Sequence, residues 1–350
     1  MYLRKIFQRN YVELTGCLHV HTEYSFDSET ALPRIIKAAH RRQLDYLGIN
    51  DHLSNEAEQD SNLRAEKKLI MIPGFEINDP ENNNHLLVYG NQEVLKDREA
   101  SEYVSYYQKQ GAITFAAHPF ERRATKRIRK YIWTDTKVDQ FSGLEIWNAL
   151  SNWVSKVRPT LNGLIWVLLA QNFIRRPSRA AVKWWDELNR SGRHKAAIGS
   201  VDAHGLIFKK FGVKITFLKH HFMFNSVRTN VLLPEGMVVD KKNILSALAE
   251  GRSYIVNYRR GIPYNFYAGI AAKEEAGVSF GEEIEYREGL FLYYNLPKIA
   301  RVLLYCKGEM ISQQVSEKGR FEVTGPGNYR LEILLNRKGW IYTNNIYVKK

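Results

Sequence analysis

At 350 residues the chain can bury one large core of about 250 residues and carry a smaller unit besides. With 44% apolar, 25% charged and 12% aromatic residues, it lacks the composition of a disordered chain. Its net charge of +14, from 51 basic and 37 acidic side chains, favours anionic partners, whether phosphorylated metabolites, nucleic acid or a membrane surface.

The opening segment, MYLRKIFQRNYVELTG, has no apolar centre of the signal-peptide kind. LTGCLHVH then reads as a strand, and ETALPRIIKAAHRRQ as a helix with Pro33 near its first turn. LDYLGIND, LIMIPGFEIN and HLLVYG are three more strands. The segment from Val94 to Gln110 has helical spacing and stops at Gly111. GAITFAAHP and SGLEIWN are strands again, so strand and helix alternate as in a parallel sheet or a barrel. From about residue 151 to 195 the pattern turns helical, through LNGLIWVLLAQNF and SRAAVKWWDELNRSG. Its apolar run Leu164 to Ala170 falls short of the roughly 20 residues of a membrane span. AAIGSVDAHG returns to a strand, and NILSALAEGRSYIVN is a last helix followed by a strand. Beyond this point ARVLLYCKGEM, GRFEVTGPGNYRLEILLN and GWIYTNNIYV alternate between Gly-containing turns. The expected division is therefore a first unit of residues 1–257 and a small β-sandwich-like unit of residues 258–350. Two cysteines, Cys17 and Cys306, support neither a disulfide framework nor a thiolate zinc site. A cytoplasmic protein without a membrane partner is the expectation.

The placement of histidines and acids carries the chemistry. His19 and His21 are two apart in an expected strand, so both imidazoles point to one face. Asp51 and His52 close YLGIND, Glu76 ends PGFE, and His85 follows a short loop. His118 ends TFAAHP, while Asp202 and His204 follow AAIGS. In a parallel barrel such strand ends converge on one rim, where active sites lie. Burying that many ionisable groups together without a cation would be very costly. Six of the ten histidines fall in this pattern, and His40, His194, His220 and His221 fall outside it. Trp184 and Trp185 occupy helical positions that suit a core or interface better than a base-stacking platform.

These residues resemble the motifs of the PHP (polymerase and histidinol phosphatase) superfamily. HVHTEYSFDS is similar to its opening motif, NDH to its second, AAHP to its third and SVDAH to its last, in order over residues 14–205. The resemblance implies an α/β fold, a distorted barrel of about seven strands, with a two- or three-metal centre of zinc, manganese or iron. Carried over position by position, His19, His21, Glu76 and Asp202 would hold a first metal. Glu76 would bridge to a second, completed by His85 and His118, and Asp27, His52 and His204 would hold a third. GLEIWN, KWWDELNRSGR, EGRSYIVN and GWIYTNNIYV resemble, more loosely, a branch with a C-terminal β domain that includes carbamate-ester hydrolases.

The implied activity is hydrolysis of a small phosphate mono- or diester through a hydroxide bridging the metals, with Glu76 and His204 as catalytic groups. Cleavage of a carbamate, ester or amide at the same centre is the alternative. A nucleic-acid-binding accessory module is the alternative of another class, and nucleic acid is the less favoured anionic partner. Glu145, Trp147 and Asn148 end another strand and are expected along the pocket. Arg122 or Arg123, in the basic run ERRATKRIRK, is placed to hold a phosphate. Oligomeric state is open at this level.

Overall fold

The structure is a computed structural model that describes residues 1–157, 170–210, 213–273 and 276–350. The expected helix LNGLIWVLLAQNF lies outside the described residues, apart from the single helical turn Ala170–Phe173. The architecture is mixed α/β.

The chain opens with a hairpin that its hydropathy does not announce, β1 (Tyr2–Ile6) antiparallel to β2 (Arg9–Cys17). Helix α1 (Leu32–Arg41) then carries the chain back, so β3 (Tyr46–His52) lies parallel to β2. Leu32, Ile35, Ile36 and Ala39 form its buried stripe, and the proline stands at the start of the helix, where no N–H is missed. After helix α2 (Ser61–Ala65), β4 (Ile70–Ile77) continues the parallel run. The loop 78–85 contains no helix, so β5 (Leu86–Tyr89) turns back antiparallel to β4. Helix α3 (Ala100–Lys109) begins at a capping box of Glu99 and Glu102 and ends ahead of Gly111, whose φ is +71. Strand β6 (Ile113–Ala116) is antiparallel to β5, and β7 (Gly143–Asn148) is parallel to β6. Helices α4 (Ala149–Val154) and α5 (Arg179–Arg190) lead to β8 (Ala196–Ser200), parallel to β7. The expected parallel order therefore holds except around β5.

The run from β2 to β8 returns on itself. Beyond Cys17, Leu18 O and His19 O accept from Val201 N and Ala203 N, and His21 N donates to Ala203 O at 3.0 Å. A hairpin of β9 (Ile207–Lys210) and β10 (Val213–Thr216) follows. Strand β11 (Val227–Pro234) runs antiparallel to β2. Helix α6 (Lys241–Ala249) then leads to β12 (Ser253–Asn257), antiparallel to β11. Strand β8 meets β11 through side chains. The Thr229 hydroxyl accepts from Gly199 N at 3.0 Å and donates to Gly199 O at 2.8 Å. Only glycine fits there, because a Cβ would overlap Cγ2 of Ile255.

The remaining strands are β13 (Tyr267–Lys273), β14 (Ala276–Val278), β15 (Glu283–Glu285), β16 (Phe291–Cys306), β17 (Glu309–Glu322), β18 (Gly327–Leu335), β19 (Lys338–Thr343) and β20 (Ile346–Lys349). They share a core built around Phe266, Leu292, Val302, Tyr329, Leu331 and Trp340. They also stay joined to the first part. β12 pairs with β19, the Asn344 amide bonds both Ala197 N and Ala197 O, and Tyr342 packs edge-on against Trp147.

Alternation along the strands splits the apolar residues into two layers. Leu47, Ile49, Phe75, Leu86, Val88 and Ala116 pack outward with the helices. Tyr46, Ile72, Leu87, Tyr89, Phe115 and Ile198 pack on the opposite face, with α6 beneath them. On that second face the apolar residues give way toward one rim to ligand-type groups: Ile72 is followed at even spacing by Glu76, and Ile198 by Ser200. Trp184 and Trp185 are both buried in the outer layer, as their helical spacing implies. Among the described residues no helix is long and apolar enough to cross a membrane.

Candidate metal centre

The nine expected ligands meet at that rim, though several arrive by a route that alternation does not give. Strand β2 stops at Cys17, and His19 adopts φ +61. The two histidines share a face through this left-handed kink, not through a regular strand. His118 (φ +30) and Asp202 (φ +52) lie in the same sparsely populated region. Backbone strain of this kind is held only where the surroundings demand it, and it gathers at functional sites.

Glu76 is fully buried and central. Its Oε2 lies 2.9 Å from His19 Nε2, 3.4 Å from His21 Nε2 and 3.5 Å from His52 Nδ1. Its Oε1 lies 2.7 Å from His85 Nδ1 and 3.2 Å from His118 Nε2. Asp202 Oδ1 stands 3.4 Å from His19 Nε2 and 3.3 Å from His21 Nε2. Toward solvent, Asp27 Oδ2 sits 2.9 Å from His204 Nε2 and 3.3 Å from His52 Nε2. His85 reaches the cluster from the start of β5, because the antiparallel turn brings that end, not the far one, to the rim.

A layer of hydrogen bonds sets the imidazoles. His19 Nδ1 donates to Glu145 Oε1 at 2.9 Å, which turns Nε2 toward Glu76 and Asp202. His85 Nε2 meets Asn82 Oδ1 at 2.9 Å and so turns Nδ1 to Glu76. Glu145 is itself held by Ser200, by Asn148 Nδ2 and by His118 N. Asn148 also donates to Asp202 Oδ2 at 3.0 Å. Glu145 and Asn148 thus line the adjoining cavity and at the same time position candidate ligands. The carboxylate of Asp51, pushed up to about 6 by burial, accepts from Thr22 N and Thr22 Oγ1 and pins the loop behind His21.

Buried His21 is neutral, since burial and the neighbouring imidazoles of His204, His52 and His19 press its pKa down to about 3. Burial also opposes charge on His118 and His204, yet adjacent carboxylates outweigh it and raise both to about 9. Glu121 and Glu76 act on the first, Asp202 and Asp27 on the second. Glu76 and Asp202 stay ionised because the surrounding histidines more than offset the cost of burying them. Several acids and several imidazoles therefore crowd one volume, and three buried nitrogens, His21 Nε2, His52 Nδ1 and His118 Nδ1, have no hydrogen-bond partner among the described residues. Imidazoles that can give up their protons to a cation, beside carboxylates already ionised, fit divalent cations in this arrangement. Their atoms form four compact sets: His21, Asp27, His52 and His204; His19, His21 and Glu76; His52, Glu76 and His85; and His19, His118 and Glu145.

The structure adds His220, which the sequence pattern left outside the site. Its Nε2 donates to His21 O at 3.0 Å and holds the H-x-H segment from behind. No spacing rule flags it, because its partner is a backbone carbonyl. His40, by contrast, pairs with Glu66, and His194 stacks on Tyr347. Of the two arginines, Arg122 lines a cavity of about 350 Å³ beside His118, Glu145 and Asn148, whereas Arg123 is turned away to Glu121 and Arg129 O. The run 121–130 is an irregular loop, not a helix face.

Residues 18–147 match the family model of the PHP domain. No curated protein matches the chain. Among solved structures, a protein from Bifidobacterium adolescentis provisionally named a metal-dependent phosphoesterase is similar at 12% identity. That alignment covers 71% of this chain and 97% of the other, with a TM-score of 0.35.

Proposed function

Because residues 18–147 of this chain are a PHP domain, we propose that the protein is a metal-dependent hydrolase, a phosphoesterase acting on small phosphate mono- or diesters. The observation that carries this reading is the convergence of the buried His19, His21, His85, His118 and His204 and the half-buried His52 on the buried Glu76 and Asp202 and, toward solvent, on Asp27. In our reading the strands β2 to β8, closed through Leu18–His21 and Val201–Ala203, are the distorted seven-stranded barrel of that family. Residues 258–350 are its accessory β unit.

Two or three zinc, manganese or iron ions would be held by the nine residues named. Glu76 would bridge two of them, because its oxygens face different histidine groups. Divalent cations supply Lewis acidity and an activated water at such a centre. The protein supplies the rest. Glu145 fixes the tautomer of His19 through Nδ1. Asn148 ties that carboxylate to Asp202. Both nitrogens of His204 are engaged, Nδ1 with Asp202 O and Nε2 with Asp27, so we assign it to ligation and not to proton delivery. The remainder of the substrate would occupy the cavity beside His118, which Arg122 lines.

The test is a metal analysis followed by assays on phosphomonoesters, phosphodiesters and aryl carbamates, with His19→Ala as control. Phosphoester turnover that is lost on chelation, restored by added cation and absent from the variant is expected. Carbamate turnover without phosphoester turnover would replace this reading. Salt-sensitive DNA binding with no turnover of any substrate would make the protein a binding module instead.

A further inference from the structure

The cavity next to the centre has a wall that lies mostly outside the PHP-domain match. Lys156 follows α4, Arg175 and Arg176 precede Pro177, Arg179 opens α5, and Arg337 stands in the turn between β18 and β19. With Arg122 they surround a space whose floor is His118, Glu145 and Asn148. None of these cations is ion-paired with another described residue. The acids of the same cavity are already engaged. Glu121 is held by Arg123 and Ser151, and Glu145 by His19, Ser200 and Asn148.

Two local features run against the chain's own preferences. Asn336 and Arg337 both have positive φ, +49 and +61, in a two-residue hairpin turn whose second place favours glycine. An arginine is kept there, and its carbonyl accepts from Arg176 at 2.7 and 3.1 Å. Arg179 stands in the first turn of α5, at the positive end of the helix dipole, with no acidic residue in that turn. An anion in the cavity would offset the second placement and pair with the side chain that the first presents.

We propose that this wall is a second anion subsite: beyond the group held at the metal centre, the substrate carries another phosphate, and Arg337 of the C-terminal strands selects for it. The C-terminal β unit therefore completes the substrate pocket. The inference deepens the phosphoesterase reading and rests on it for the bond that is cut, but it is tested by binding.

Calorimetric titration of the metal-loaded protein with pentyl phosphate and with pentanediol bisphosphate separates the two. The wild type is expected to bind the bisphosphate at least about ten-fold more tightly, the worth of one charged contact. Arg337→Gly keeps a turn that glycine prefers, so its melting temperature should hold. Its affinity for the bisphosphate should fall about ten-fold, with pentyl phosphate unchanged. Arg179→Gln, a variant outside the turn, should act in the same direction. Equal affinity for both ligands in the wild type would overturn the inference, as would a bisphosphate advantage that survives both substitutions. A bisphosphate advantage without hydrolysis of any phosphoester would leave the subsite standing and remove the phosphoesterase reading. Hydrolysis without the advantage would do the reverse.

Discussion

At the scale of single residues, the centre depends on groups that hold its histidines in place. Glu145 is buried, accepts from His19 Nδ1 and also from His118 N, and so orients one imidazole and fixes the backbone that carries another. Outer hydrogen-bond partners of metal ligands are worth about 10- to 100-fold in metal affinity. Glu145→Gln should therefore weaken cation binding by that order while leaving the fold intact, read by metal titration with circular dichroism as control. An unchanged affinity would show that the carboxylate does not set His19. Glu76 makes a sharper case. Since its two oxygens face different imidazole groups, Glu76→Ala should lower the metal content by two ions per chain, measured by elemental analysis. Loss of one ion with activity kept would contradict the bridging assignment.

Among the elements, the closure of β8 against β11 is the step most exposed to a single change. The Thr229 hydroxyl serves both backbone groups of Gly199 where no ladder does. Thr229→Val keeps the shape and strands both partners, at a cost of about 1–3 kcal/mol for each group left unsatisfied. The expected result is a lower urea midpoint at unchanged slope, with reduced activity, because β8 leads directly into Asp202 and His204. A midpoint equal to wild type would show that this contact is not what joins the strands. The H-x-H segment illustrates the limit of reading elements from alternation. His19 and His21 do share a face, as their spacing suggests, yet β2 has ended before them and a left-handed residue does the aligning. The antiparallel β5 is a second case. Its direction follows from the missing helix in loop 78–85, and it brings the start of the strand, with His85, to the rim.

For the molecule as a whole, the two parts are held together by a buried ion pair as well as by ladders. Arg330 of β18 makes a two-pronged contact with Asp186 of α5, at 2.9 and 2.8 Å, and a further bond to Glu332. Asp186→Ala leaves a buried guanidinium short of charge and should cost about 3–5 kcal/mol. Replacing both Arg330 and Asp186 by apolar residues should recover much of that loss. Denaturant unfolding of the single and double variants checks this, and a single variant as stable as wild type would show the pair to be dispensable. This contact lies on the same helix whose first turn faces the cavity beside His118, so it also holds Arg179 in place relative to Arg337.

The residue types and their order along the chain were enough to single out the candidate ligands that the fold brings together: H-x-H, the terminal NDH, Glu76, His118 and the D-A-H of residues 202–204 can all be picked out because metal chemistry demands imidazole and carboxylate at strand ends. Alternation likewise revealed most strands of the first part and the all-β character of the last. What folding alone decided is which side chains look at one another. Glu145 as the partner of His19, His220 behind His21, and arginines from distant segments around one cavity each join residues far apart in the chain or use a backbone atom. Periodicity describes a segment's own faces. It carries no information about a neighbour whose position is set by the closing of the sheet.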